Sequence, residues 1–434
     1  MPARPSALVA WVVVAAGLVC VLGPAPATLF AQRGGMFQGS ADDPAIAYST
    51  APLSNAVSRI EEKIRDGTVP LVYEGRSGYL RSALRALDIP VDSQALVFSQ
   101  TSFQRKRISE TNPRALFFND RVALGWVRDG ELIEVAAQDA REGIVFYTLE
   151  QRPVERPEFK RVLTCLACHM SGDTLGVPGM LMFSTTAAAN APTRSVMIDH
   201  RMPLASRWGG WYVTGRSGAI RHRGNEAETV AARGASQLAS MNGYFDEDGY
   251  QAMSSDIASL LVLSHQVHMT NLLTRAGWEA RVADPALHAP FVAAPGEADR
   301  VARMMAGVAA EVVDYMLFVD EAPLPDRVQG TSGFAERFAA SGPRDSKGRS
   351  LHELDLTRRL QKYPCSFLIY SETFDALPPA AKEPIYRRMW EVLSGGEAGE
   401  RYRTALPLAD RRAIVEILED TKPDLPQYFR GVSQ

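Results

Sequence analysis

Residues 121–135, RVALGWVRDGELIEV, decide how the first part of this chain folds. Val122, Leu124 and Trp126 alternate along one face, the period of a strand with one buried side, and the run is too short for a buried helix. Asp129–Gly130 then supplies turn chemistry before apolar residues resume at Leu132 and Ile133. The same grammar extends outward. ALVFSQ (95–100), ALFF (115–118) and IVFYTLE (144–150) are strand-like, and Asn119–Asp120 is a second turn. An antiparallel meander over Ala95–Glu150 is the reading.

Upstream, Val57, Ile60 and Ile64 fall on one helical face, and Ser77 is placed to cap a second helix carrying Leu80, Leu84 and Leu87. Downstream, Pro157–His169 reads as a short amphipathic helix with Phe159, Val162, Leu163 and Leu166 on one side. Residues 171–250 are rich in Gly, Pro, Ser and Arg and show few helical periods; GGWYVTG (209–215) is a strand candidate. Helices are expected at Asp256–Thr274, capped by Ser254 or Ser255, at Glu297–Phe318, at Pro379–Leu393 and at Leu408–Asp420. The fold class expected is therefore α+β, with an antiparallel β meander in the N-terminal half and a mainly helical later part.

Arg4, the apolar run Ala7–Gly23 and the small residues Ala25–Pro26–Ala27 have the layout of a secretory signal peptide, residues 1–27, with an uncleaved anchor as the alternative. Val19 before Cys20 is not the small residue that lipid attachment requires. Residues 28–55 then read as a flexible lead-in, 56–155 as a β-rich region and 156–434 as a region with a mainly helical C-terminal part. The expected location is periplasmic or otherwise exported and soluble, with no stable membrane insertion after cleavage. The net charge of −3 supplies no basic stripe for phosphates, so no nucleic-acid partner is expected. No phosphate loop, H-E-x-x-H or G-x-S-x-G is present.

Chemistry concentrates in LTCLACHMSG (163–172). Cys165-Leu166-Ala167-Cys168-His169 is a C-x-x-C-H pattern, in which two thiols on one turn can each add to a haem vinyl group while the adjacent imidazole serves the iron. A structural zinc site would need further ligands at knuckle spacing, and a redox dithiol would want its C-x-x-C opening a helix after a strand in a βαβ unit. After removal of Cys20, Cys165, Cys168 and Cys365 make an odd number with no disulfide framework; Cys365 sits among apolar residues as an inert thiol.

CLACH resembles the haem attachment site of the c-type cytochromes, and SGDTLGVPG (171–179) is similar to the loop that follows it there. LADRRAIVEILEDTKP (408–423) resembles the closing helix of small haem-c domains. With FFNDRVALGWVRDG, RWGGWYVTG and LVLSHQVHMTNLLTRAG, the whole chain resembles a group of long, exported, single-haem bacterial proteins. The resemblance implies one covalently attached haem c, with Cys165 and Cys168 as thioether anchors and His169 as the proximal iron ligand. It also implies electron transfer with a redox partner protein; a peroxidase-like haem oxidoreductase and a haem-based redox or gas sensor are the alternatives.

His268 and His265 are the candidates for the other side of the iron, because they share the stripe 257, 261, 265, 268 and 272 on the expected inward helix face. Met180, Met182, Met197 and Met202 follow the motif as further candidates, each equally readable as core filler. Asp199–Asn225 gathers His200, Arg201, Arg207, Trp208, Trp211 and His222. Arg201 and Arg207 are the candidates for contacts with haem propionates, and His200 and His222 for acid–base work.

Overall fold

A computed structural model describes residues 35–188, 191–234, 237–287, 296–396 and 399–431; the expected signal segment lies outside them. The meander forms as the alternation requires. Strands β1 (Ala95–Val97), β2 (Arg114–Phe118), β3 (Val122–Trp126), β4 (Leu132–Asp139), β5 (Gly143–Glu150) and β6 (Lys160–Arg161) pair antiparallel in chain order. In register, Phe117 faces Leu124, Leu124 faces Val135, and Val135 faces Tyr147, a row buried on one side of the sheet. The Asn119 side chain accepts from the amides of Arg121 and Val122, and Asp129 adopts φ 56°, so both expected turns carry their own chemistry.

Helices α1 (Ser58–Arg65) and α2 (Leu80–Ala86) precede the sheet. Tyr79, not Ser77, stands at the N-terminus of α2. The stretch expected as a flexible lead-in is packed from Phe37 onward. Phe37, Ile46 and Tyr48 join the core beneath α2 and the sheet, and Phe37 meets Trp278 edge-on at 5.2 Å.

The expected helix over Pro157–His169 is mostly absent. Residues 160–161 instead form β6, because the unpaired edge of β5 offers backbone partners at Tyr147 and Thr148. Only α3 (Leu166–His169) is helical. The sheet thus continues past the expected division at 155–156. GGWYVTG makes isolated bridges rather than a strand, and a hairpin, β7 (Phe183–Ala188) and β8 (Ala191–Met197), forms where no element was expected.

After α4 (Glu228–Ala231), α5 (Ile257–Val282) runs through the middle of the molecule. It starts on Asp256, whose carboxylate accepts the amide of Ala258, in place of Ser254 or Ser255. Every residue of α5 is buried except His268, Glu279 and Val282. Its apolar stripe is therefore not an inward face opposed to a wet one: the helix is enclosed, and each fully buried Leu or Ile adds roughly 1.5–3 kcal/mol. Against it pack α6 (Glu297–Met316), α7 (Phe334–Ser341), α8 (Glu372–Asp375) and α9 (Pro379–Leu393); α10 (Glu400–Ala405) and α11 (Leu408–Thr421) follow, α11 against α9. The chain is α+β, with the antiparallel sheet early and helices late. Among the described residues no helix is long and apolar enough to cross a membrane.

Candidate functional site

The second face of the sheet is the floor of the site. Its cross-strand rows are Leu116–Gly125–Glu134–Thr148 and Phe118–Ala123–Ala136–Phe146. Leu116, Ala123 and Ala136 are half-buried at the margin of the main core, where Cys165, Leu166, Met197 and Met202 are half-buried too. Arg114 reaches across Gly125 to pair with Glu134 at 2.7 Å, and a Cβ on Gly125 would lie 2.3 Å from its guanidinium.

Val162 donates to the carbonyl of Phe146 and ends the β5 edge, which brings the chain into the motif. The amides of both Cys168 and His169 donate to the carbonyl of Cys165, so the motif is one tight turn. Both thiols are free; Cys165 is half-buried and Cys168 exposed. Burial, and then the Glu134 carboxylate, push the Cys165 thiol up from its ordinary value.

His169 is fixed by a reciprocal pair. Its Nδ1 lies 2.9 Å from the carbonyl of Gly179, whose amide donates to the carbonyl of His169 at 2.9 Å. A carbonyl only accepts, so Nδ1 carries the hydrogen and the lone pair is on Nε2, which makes no hydrogen bond among the described residues. Burial holds the imidazole below its ordinary pKa, keeping it neutral, and the Phe146 ring lies 4.7 Å from it. The loop that supplies Gly179 is held at both ends. Ser171 and Thr174 close a capping box, Gly176 with φ 75° sits against the backbone of Phe37, and Gly179 is pressed against Asn271 of α5.

This donor set fits haem c: two reduced thiols one turn apart, a neutral imidazole presenting Nε2, and a neighbouring shelf of small and apolar side chains. No three His, Cys, Asp or Glu side chains gather as a metal site among the described residues. The motif also leaves the edge strand of an antiparallel sheet, not a βαβ unit.

The remaining candidates separate. His265 is fully buried with both nitrogens engaged, Nδ1 at 2.8 Å from His200 Nδ1 and Nε2 at 2.7 Å from Ser366 Oγ, which leaves no lone pair for iron. Burial lowers it to about 3 and His200 well below its ordinary value; both rings stack on Tyr315 and Phe318. Arg207 is also buried and spends its guanidinium on the carbonyls of Met202 and His200, a structural role in place of the propionate contact.

Arg201 and His268 come together. Arg201 is paired with Asp199 at 2.6 Å, lies over the Tyr315 ring and approaches His268 Nε2 at 3.3 Å. His268 is the one half-buried residue in the middle of α5, lowered to about 4 by burial. Met182 is buried with Sδ accepting from Ser264, and Met180 is buried beside Gly179. Cys365 is fully buried, as its surroundings in the sequence imply. His222 meets Trp208 edge-on at 5.6 Å.

Sequence reasoning missed Gly179, Asn271, Phe146 and the Arg114–Glu134 pair. Only Asn271 left a trace, as an amide inside an apolar helix. No protein-family model, curated protein or solved structure matches this chain.

Proposed function

We propose that this chain is an exported, single-haem c-type protein that transfers electrons to or from a redox partner. The observation that carries the reading is the tautomer of His169: Gly179 takes the Nδ1 hydrogen, so Nε2 is presented to a metal within one turn of two free thiols. Each thiol, from Cys165 and Cys168, would add across one vinyl group, its sulfur bonding to carbon and its hydrogen passing to the other vinyl carbon. Haem so bound supplies one-electron chemistry. Phe146 and the Ala123–Ala136 shelf would exclude water from one side, and the Gly179 carbonyl would keep the imidazole oriented and electron-rich.

The Arg201–His268–Asp199 group favours a second reading. A cation and a neutral imidazole held together in a half-buried place are suited to polarising a bound small molecule, as a haem oxidoreductase or a gas sensor requires.

The test is maturation of the chain in a host that attaches haem, followed by haem staining on a denaturing gel. Staining is expected for the wild type and its loss for Cys165→Ala/Cys168→Ala; stain retained by the double variant, or absent from the wild type, overturns the proposal. The reduced optical spectrum with carbon monoxide separates the two readings. Indifference supports the electron carrier, and ready binding supports the oxidoreductase or sensor.

A further inference from the structure

On the loop tied to the start of β4 the chain displays an apolar side chain and a group of cations that the fold does not use. Phe103 is 79% exposed, the most exposed large hydrophobic residue of the described chain. It is followed by Arg105, Lys106 and Arg107, all exposed. The loop is not loose. Gln104 is buried, its amide donating to the carbonyl of Leu132 and accepting from the amide of Glu131, which pins the loop to the start of β4. Ser102 donates to Glu134 at 3.1 Å; Glu134 faces Thr148 across the sheet, and Thr148 faces Lys160 of β6, the strand that leads into the motif. Sheet pairing thus ties the Phe103 loop to the strand that delivers the attachment motif, whose own surface exposes Cys168 and Leu163.

The charges around this loop do not cancel. Arg114 is matched by Glu134 and Arg107 by Glu131 at 3.6 Å, while Glu110 accepts the amide of Thr229 at the start of α4. Arg105 and Lys106 have no carboxylate partner among the described residues. On a chain of net charge −3, an acidic partner is repelled by the molecule as a whole and drawn to this place, which orients the encounter.

We propose that the 102–107 loop is the docking surface for a redox partner with an acidic face, Phe103 forming the dry contact and Arg105 and Lys106 steering it to the haem edge. The proposal rests on the haem reading. A fixed aromatic loses little entropy on contact, and a small charged patch around one apolar residue suits the weak, transient encounters of electron transfer.

The test uses the haem-loaded protein, reduced for two inorganic oxidants and oxidised for a protein donor. Oxidation by ferricyanide, a trianion, should slow as salt is raised. It should also slow at least about fivefold at low salt in Arg105→Glu/Lys106→Glu, with oxidation by tris(phenanthroline)cobalt(III), a trication, moving the opposite way. Reduction of the oxidised haem-loaded protein by flavodoxin hydroquinone, the electron donor form of an acidic protein, should fall several-fold in Phe103→Ala, while the ferricyanide rate of the reduced variant stays unchanged. Arg387→Glu, on α9, serves as the charge control and should alter none of these rates. Equal responses to both ions, a double variant no different from Arg387→Glu, or an unaltered flavodoxin rate in Phe103→Ala would each overturn the docking surface with haem still in place. A wild type without covalent haem would overturn the haem reading and this proposal together.

Discussion

The side chain of Asn271 accepts from the amide of Met180 and donates to its carbonyl, each at 3.0 Å, so one buried amide of α5 serves both backbone groups of the residue after Gly179. Gly179 is glycine for the same reason, since a Cβ there would lie 2.4 Å from Asn271 Oδ1. The orientation of His169 is therefore set by a helix about a hundred residues further along, acting through one loop.

Asn271→Leu keeps the branching of the side chain but leaves the amide and carbonyl of Met180 buried without partners, a loss of roughly 2–5 kcal/mol. Urea denaturation should show that loss. The haem-loaded variant should also show an altered oxidised spectrum, because the carbonyl that holds the His169 ring is no longer anchored. An unaltered spectrum in a destabilised protein would confine Asn271 to folding.

Glu134 is the carboxylate that raises the Cys165 thiol, and among the described residues its ion-pair partner is Arg114. On the haem reading, Glu134→Gln would remove a negative charge that favours the oxidised, more positive iron, and would leave the Arg114 cation in place. The reduction potential should rise by tens of millivolts in a redox titration, less at high salt. Gly125→Ala should act in the opposite direction and more weakly, by pushing the Arg114 guanidinium off its present path and leaving the Glu134 carboxylate less matched.

The buried histidines make stability depend on pH with a definite sign. His265 is held at about 3 and His268 at about 4, both by burial, and His200 well below its ordinary value. Unfolded, each takes up a proton near pH 6.5, so the unfolded state binds more protons below that point and is favoured as pH falls. Their stabilising share is complete above about pH 6.5 and declines toward the folded values, by about 2 kcal/mol each for His265 and His268 at pH 5. Urea midpoints at pH 7 and pH 5 should differ accordingly. The difference should shrink in His265→Gln, which keeps a polar group between His200 and Ser366.

What was legible in the sequence was local. The meander could be read because Val122, Leu124 and Trp126 repeat at period two and because Asn119 and Asp129 make their turns with their own side chains and backbone. The motif could be read because five consecutive residues hold it. The β7–β8 hairpin was not legible, since FSTTAA lacks the apolar alternation that marks a strand. Nor was the ladder joining His200 to His265, whose partners are 65 residues apart. α5 misled for a physical reason: periodicity separates an inner face from an outer one, and a helix enclosed on every side has no outer face to mark.

The lead-in was misread for a related reason, and Arg281 shows what holds it. Phe37, Ile46 and Tyr48 are spaced without period, so nothing local announces their burial. Arg281 of α5 donates to the carbonyls of Ala45, Ile46 and Arg141 and pairs with Glu142 at 3.2 Å, both side chains nearly sealed from solvent. Burial lowers Arg281 and raises Glu142 from their ordinary values, and each charge offsets part of the other's desolvation. Arg281→Leu would strand the Glu142 carboxylate and release three carbonyls, costing about 3–5 kcal/mol. Limited proteolysis should then cut first within residues 35–55, which the wild type protects. Arg281→Leu/Glu142→Leu, which removes both charges, should recover a large part of the stability while the cleavage persists. Recovery of both would mean that the ion pair, and not the carbonyl bonds, holds the segment in place.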